Sequence, residues 1–184
     1  MQARQSIEKL IKEYELIEQT RNERSDSKLL DGITFTNLTI IYTKYFALSC
    51  ASYFEEEFNC IIEKIVSRVK DEHAHALASK FSEDQFFKVF DVRSSEHKKW
   101  SANKFYVALG IKEKIDELKN KPDFKNKERA FLSIINTRNN LVHNNFIEYN
   151  LETSFQELKG NYLNGIDYLD MIKITMNLDE NNCF

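Results

Sequence analysis

At 184 residues the chain is about one domain long, enough to hide roughly 70% of the surface that its unfolded form would expose. An apolar content of 42%, with 14 Phe and 8 Tyr, supplies a core, while a single Pro and 4 Gly leave few places where a helix must stop; the composition predicts an all-α protein. A net charge of −3 excludes the broad basic surface that sequence-blind nucleic-acid binding needs, and no window approaches the roughly 18 to 20 apolar residues of a membrane span.

No basic start followed by an apolar run marks the N-terminus, which places the protein in the cytoplasm. Cys50, Cys60 and Cys183 are an odd number, and the first two lie about 15 Å apart if one continuous helix carries both, so all three are expected as free thiols.

Ile7, Leu10, Ile11, Tyr14 and Ile17 recur at steps of three and four with charged residues between them, which predicts an amphipathic helix over 3–21. The polar run 24–28 reads as a linker, and Asp31-Gly32 as a turn. From Asn37 to Arg68 an apolar pattern runs through Leu38, Ile41, Tyr45, Leu48, Phe54, Phe58, Ile61 and Ile65, predicting the longest helix. Its β-branched opening could be a strand, but it has no second strand to pair with.

Between 72 and 120 the pattern breaks into short helices at 74–81, 85–90, 102–109 and 112–119. Pro122-Asp123 opens a further helix with Asp123 as its expected cap, and Ala130, Phe131, Ile134 and Ile135 carry its apolar stripe. After a loop over 144–152, Thr153 and Ser154 followed by Gln156 and Glu157 match the capping box that starts a last helix. Gly160 and Gly165 in that helix mark kinks or close packing. The whole chain, 1–184, reads as a single domain without internal repeats.

One stretch looks like chemistry: Ile134-Ile135-Asn136-Thr137-Arg138-Asn139-Asn140-Leu141-Val142-His143-Asn144-Asn145. Arginine presents a planar fork of donors that matches a phosphate, histidine titrates near neutrality, and asparagine can orient either. Arg138 and His143 are five apart, so on an ideal helix they point about 140° away from each other, and only Asn139 shares the face of His143. They converge if the helix unwinds at Val142, or if helices from two subunits cross here and pool their side chains.

The run Arg138-Asn139-Asn140-Leu141-Val142-His143 resembles the R-x4-6-H signature of the HEPN superfamily, small all-α proteins of bacterial toxin-antitoxin and defence systems in which a polar residue commonly follows the arginine. The helix from Tyr45 to Phe58 with its Glu55-Glu56-Glu57 cluster, the segment from Lys104 to Gly110 and the polar loop from His143 to Phe146 are similar to the RiboL-PSP type of HEPN domain. The likeness spans a core of about 35–175.

It implies a bundle of four to five main helices plus short ones that forms a homodimer, two signatures building one RNA-cleaving cleft without metal or other cofactor. By the same resemblance, Arg138 would hold the scissile phosphate, His143 would transfer protons, Asn139 would position one or both, and a glutamate on the long helix would orient the arginine. Glu55, Glu56 and Glu57 all qualify, although Glu55 and Glu56 are expected nearest the apolar stripe. Asn144, Lys125 and Arg129 are the candidate substrate contacts, the last two reaching an RNA backbone only along a groove. RNA and an antitoxin protein are the expected partners. The alternative is a silent HEPN domain that binds RNA, nucleotide or a partner protein, or a structural helical dimer that neutralises a nucleotidyltransferase.

Each feature also has a plainer explanation. Arginine and histidine near a helix C-terminus are favoured by the helix dipole, and three glutamates more often form a solvated face. Glu72-His73-Ala74-His75 resembles a metal site only superficially, since histidines two apart diverge on a helix. Arg93, His97, Lys98, Lys99 and Trp100 read as an exposed basic turn, and the stripe of Tyr45, Tyr53, Phe54 and Phe58 as core or dimer interface.

Overall fold

A 3.6-residue apolar period sustained over several turns needs a partner surface, and the helices supply it to one another. The computed structural model describes residues 2–23, 29–68, 106–107 and 110–178, and among these there is no strand. In chain order they form α1 (Gln2–Glu23), α2 (Leu29–Val66), α3 (Lys112–Leu118), α4 (Pro122–His143) and α5 (Phe155–Thr175). The expected helices at 74–81 and 85–90 lie outside the described residues, as do the linker 24–28, His73, His75 and the basic run from Arg93 to Trp100. Of the expected 102–109 helix, Tyr106 and Val107 are described and are helical.

The 38 residues of α2 start eight positions before Asn37, so Asp31-Gly32 lies inside a helix and is not a turn. A glycine in a helix interior costs about 1 kcal/mol relative to alanine, and a helix of this length absorbs it. The start of α4 also differs from expectation. Lys121 is its N-cap, with extended backbone at φ −90° and ψ 122°, Pro122 takes the first turn, and no side chain caps the helix. Proline forces its predecessor to be extended and has no N–H to satisfy, so the cap lies at Lys121, two residues upstream of Asp123. Asp123 instead receives the Lys127 ammonium at 2.9 Å. The start of α5 is as the sequence predicts: Ser154 is the N-cap, and its hydroxyl accepts from the Glu157 N–H at 3.2 Å.

Aromatic rings knit the helices together. Phe54 of α2 packs on Phe131 of α4 at 4.9 Å between centroids, and Phe131 on Tyr168 of α5 at 4.9 Å. Tyr14 of α1 stacks on Phe155 of α5 at 3.7 Å, and Phe46 of α2 meets the same ring at 4.5 Å. Of the expected aromatic stripe, Tyr53, Phe54 and Phe58 are core, whereas Tyr45 is 55% exposed. Tyr106 and Tyr168 are buried and joined through their hydroxyls at 2.8 Å; Tyr106 donates to Glu128 Oε1 at 2.7 Å, so Tyr168 must donate to Tyr106.

Cys50 is a free, buried thiol whose pKa burial pushes up. Cys60 is disulfide-bonded, which corrects the expectation of three free thiols. The spacing argument separated Cys50 from Cys60, and both do ride on α2, but it did not exclude other pairings.

Candidate active site

The signature closes α4. Helical hydrogen bonding runs through it without a break, and the Asn144 N–H still donates to Asn140 O at 3.0 Å. The helix therefore does not unwind at Val142, and within one chain Arg138 and His143 keep the divergence of about 140° that five helical steps impose.

Arg138 is half-buried, and its Nη1 donates to the Asn139 side-chain oxygen at 3.1 Å. Across from it on α2 is Glu55, also half-buried. Burial raises the Glu55 carboxyl pKa above its ordinary value; the Arg138 charge works against that rise and the neighbouring Glu56 adds to it. Of the three glutamates, Glu55 is the half-buried one, and the Arg138 charge acts on it. Glu56 is exposed, contrary to its expected place beside the apolar stripe. Glu57 is the buried one, and its carboxylate accepts from Lys173 of α5 at 2.5 Å. Three consecutive helical residues sweep about 200°, so they must face three environments, and the pattern of Tyr53, Phe54, Glu57 and Phe58 turns Glu57 inward.

His143 is exposed at the last helical position, and its ring has no hydrogen-bond partner among the described residues. Asn144, the C-cap, is exposed beside it. Lys125 and Arg129 are exposed near the start of α4 and are not brought to the signature. Arg129 lies nine positions before Arg138, which puts it about 13 Å away along the axis and on the opposite side of the helix.

Two features have no counterpart in the sequence reading. Lys44 of α2 is buried and donates to the carbonyl oxygens of Phe146 and Ile147, at 2.7 and 3.1 Å, in the loop that follows His143. Around that loop several apolar side chains meet solvent: Val142 is 52% exposed, Ile147 83% and Tyr45 55%, with the Tyr45 ring edge-on to Phe146 at 5.6 Å. A lysine inside a helical pattern carries no signal of burial, and the apolar period of α2 leaves Tyr45 as either core or dimer interface. Among the described residues, no group of three or more His, Cys, Asp and Glu is placed to hold a metal ion, and no helix is long and apolar enough to cross a membrane.

Compared with protein-family models, curated proteins and solved structures, the chain matches none.

Proposed function

We propose that this protein is a HEPN-type endoribonuclease of the RiboL-PSP kind that works as a homodimer without metal, the toxin of a toxin-antitoxin pair or a defence effector. The observation that carries this reading is the Arg138 cluster: a half-buried guanidinium hydrogen-bonded to Asn139 and opposed by Glu55 from another helix, with His143 free on the same α4.

The chemistry follows from what these groups can do. In RNA the 2′-hydroxyl is already tethered beside its phosphorus, so the nucleophile need not be generated by a metal. One His143 removes the hydroxyl proton as the 2′-oxygen bonds to phosphorus; the bond to the 5′-oxygen breaks, and a second imidazole returns a proton to that oxygen. The product is a 2′,3′-cyclic phosphate and a 5′-hydroxyl. Arg138 follows the charge that develops on the non-bridging oxygens, with Asn139 accepting from its fork and the Glu55 charge facing it from α2. Since α4 stays helical through His143, Arg138 and His143 from a single chain diverge, and a second copy is what supplies the converging pair.

One observation favours a second reading. His143 lacks any group to orient its ring among the described residues, as would suit a domain that binds RNA, nucleotide or a partner protein without cutting. Incubating pure protein with mixed RNA in EDTA, beside Arg138→Ala and His143→Ala variants, separates the two. The enzyme reading expects cyclic-phosphate ends from the wild type and a fall of about 10²- to 10⁴-fold in the His143 variant. RNA retention without new ends establishes the binding module instead.

A further inference from the structure

Lys44 is only 3% exposed, yet among the described residues its ammonium meets no carboxylate. Burying an uncompensated cation is unfavourable, and a hydrocarbon of the same length would fill the space. What the charge does is hold two carbonyls, those of Phe146 and Ile147, with the Phe146 ring 5.5 Å from Nζ as further support.

Those carbonyls belong to a short block that closes on itself. Asn145 sits in the left-handed region at φ 56°, its side-chain oxygen accepts from the Ile147 N–H at 3.3 Å, and its carbonyl accepts from Glu148 and Tyr149 at 3.1 and 2.9 Å. Lys44 ties this block to α2. His143 has no side-chain partner of its own, so its place is set by backbone alone: the last turn of α4 on one side and the block on the other. Lys44 and Glu55 are eleven residues apart on α2, three turns and about 20° of rotation, so they share one face of that helix. The same face of α2 thus meets both ends of the signature, with Glu55 toward Arg138 and Lys44 beneath the loop after His143.

We propose that Lys44 is a positioning residue for His143, clamping the 145–149 block so that the imidazole is presented at a fixed height and angle at the end of α4. This inference rests on the reading of His143 as a working group. A catalytic group displaced by about 1 Å can lose on the order of 10²-fold in rate, which is the scale on which a clamp of this kind acts.

The experiment is Lys44→Met, which keeps the stem and removes the donors, with Lys44→Gln retaining a neutral donor. Three readouts are compared with wild type: cooperative thermal unfolding, the His143 ring signals in a ¹H–¹³C spectrum at fixed pH, and initial cleavage rates in EDTA. The proposal expects a folded Lys44→Met protein whose His143 signals shift or broaden, with kcat down about 10- to 100-fold and KM changed less than about twofold. Unchanged His143 signals in a folded variant overturn it. If Lys44→Met does not fold, Lys44→Gln decides by the same spectrum. Should the wild type cut no RNA, the ribonuclease reading falls while the His143 signals still judge the clamp.

Discussion

Gly165 and Phe54 compete for one space. A Cβ on Gly165 would lie 2.9 and 3.2 Å from the Phe54 ring carbons Cε2 and Cε1 and closer still to Cζ, so α5 approaches α2 here because this position has no side chain. Phe54 is fully buried against Phe131 and cannot swing away. Gly165→Ala is therefore expected to destabilise the fold by about 1–3 kcal/mol even though alanine is the better helix former. Gly160, on the same helix, meets nothing within 4 Å. Gly160→Ala should be neutral or stabilising by up to about 1 kcal/mol, and urea unfolding of the pair separates close packing from helix propensity.

Glu57 and Lys173 join α2 to α5 across a nearly dry contact, with side chains 9% and 13% exposed. Lys173→Ala, which leaves the Glu57 carboxylate buried, is expected to cost about 3–5 kcal/mol, and Glu57→Ala less, because Asp170 still accepts from Lys173 at 3.2 Å. Replacing both with Met should recover most of that loss in a double-mutant cycle. Burial opposes the Lys173 charge, but the Glu57 hydrogen bond and the charges of Glu57 and Asp170 prevail and raise its pKa above 10.5. The folded state then holds this proton more tightly than the unfolded chain. The contribution is fully present below pH 10.5 and is lost as pH rises through the folded-state value, a loss that wild type shows and the double-Met variant does not.

Glu55 stands in the opposite relation to stability. Its carboxyl is raised above 4.5 by burial, with Arg138 only partly offsetting the rise and Glu56 adding to it, so the ionised form costs the fold something near neutral pH. Glu55→Gln should make the protein more stable at pH 7 while slowing cleavage, since an amide orients Arg138 less firmly than a carboxylate. That gain disappears below pH 4.5, where Glu55 is protonated in folded and unfolded chains alike. Urea midpoints at pH 7 and pH 4 check the sign; a variant less stable at pH 7 would show that the Arg138 attraction outweighs burial.

Val142 and Ile147 flank His143 and face solvent in the single chain. If two copies meet over this surface, Ile147→Glu should lower the sedimentation-equilibrium mass toward one chain and reduce cleavage without moving the unfolding midpoint at low protein concentration. Mixing Arg138→Ala with His143→Ala protein tests the shared site directly. Each is expected to be inactive alone, while subunit exchange produces mixed dimers that carry one intact arginine and one intact histidine. A mixed dimer keeps a single imidazole for the two proton transfers, so mixing is expected to restore activity above either parent but below wild type; a mixture as silent as its parts denies a site that pools one arginine with one histidine.

Local pattern alone determined a good deal about this chain. The amphipathic period set α1 to within two residues, the apolar run made α2 helical despite its β-branched opening, and the Ser154 capping box placed the start of α5. Such features depend on residues within a few positions of one another, which a linear reading can weigh. Where a signal was local but outvoted, as at Asp31-Gly32 and Asp123, a long helix or a neighbouring proline decided otherwise. Only the tertiary structure separated Glu55 from Glu56 and Glu57, because the three differ in nothing but the direction each faces. It alone revealed the Lys44 contact, formed between residues 102 and 103 positions apart, and the Phe54 ring that requires Gly165. Burial and partnership arise from which helix lies opposite, and that depends on how all the apolar stripes satisfy one another at once.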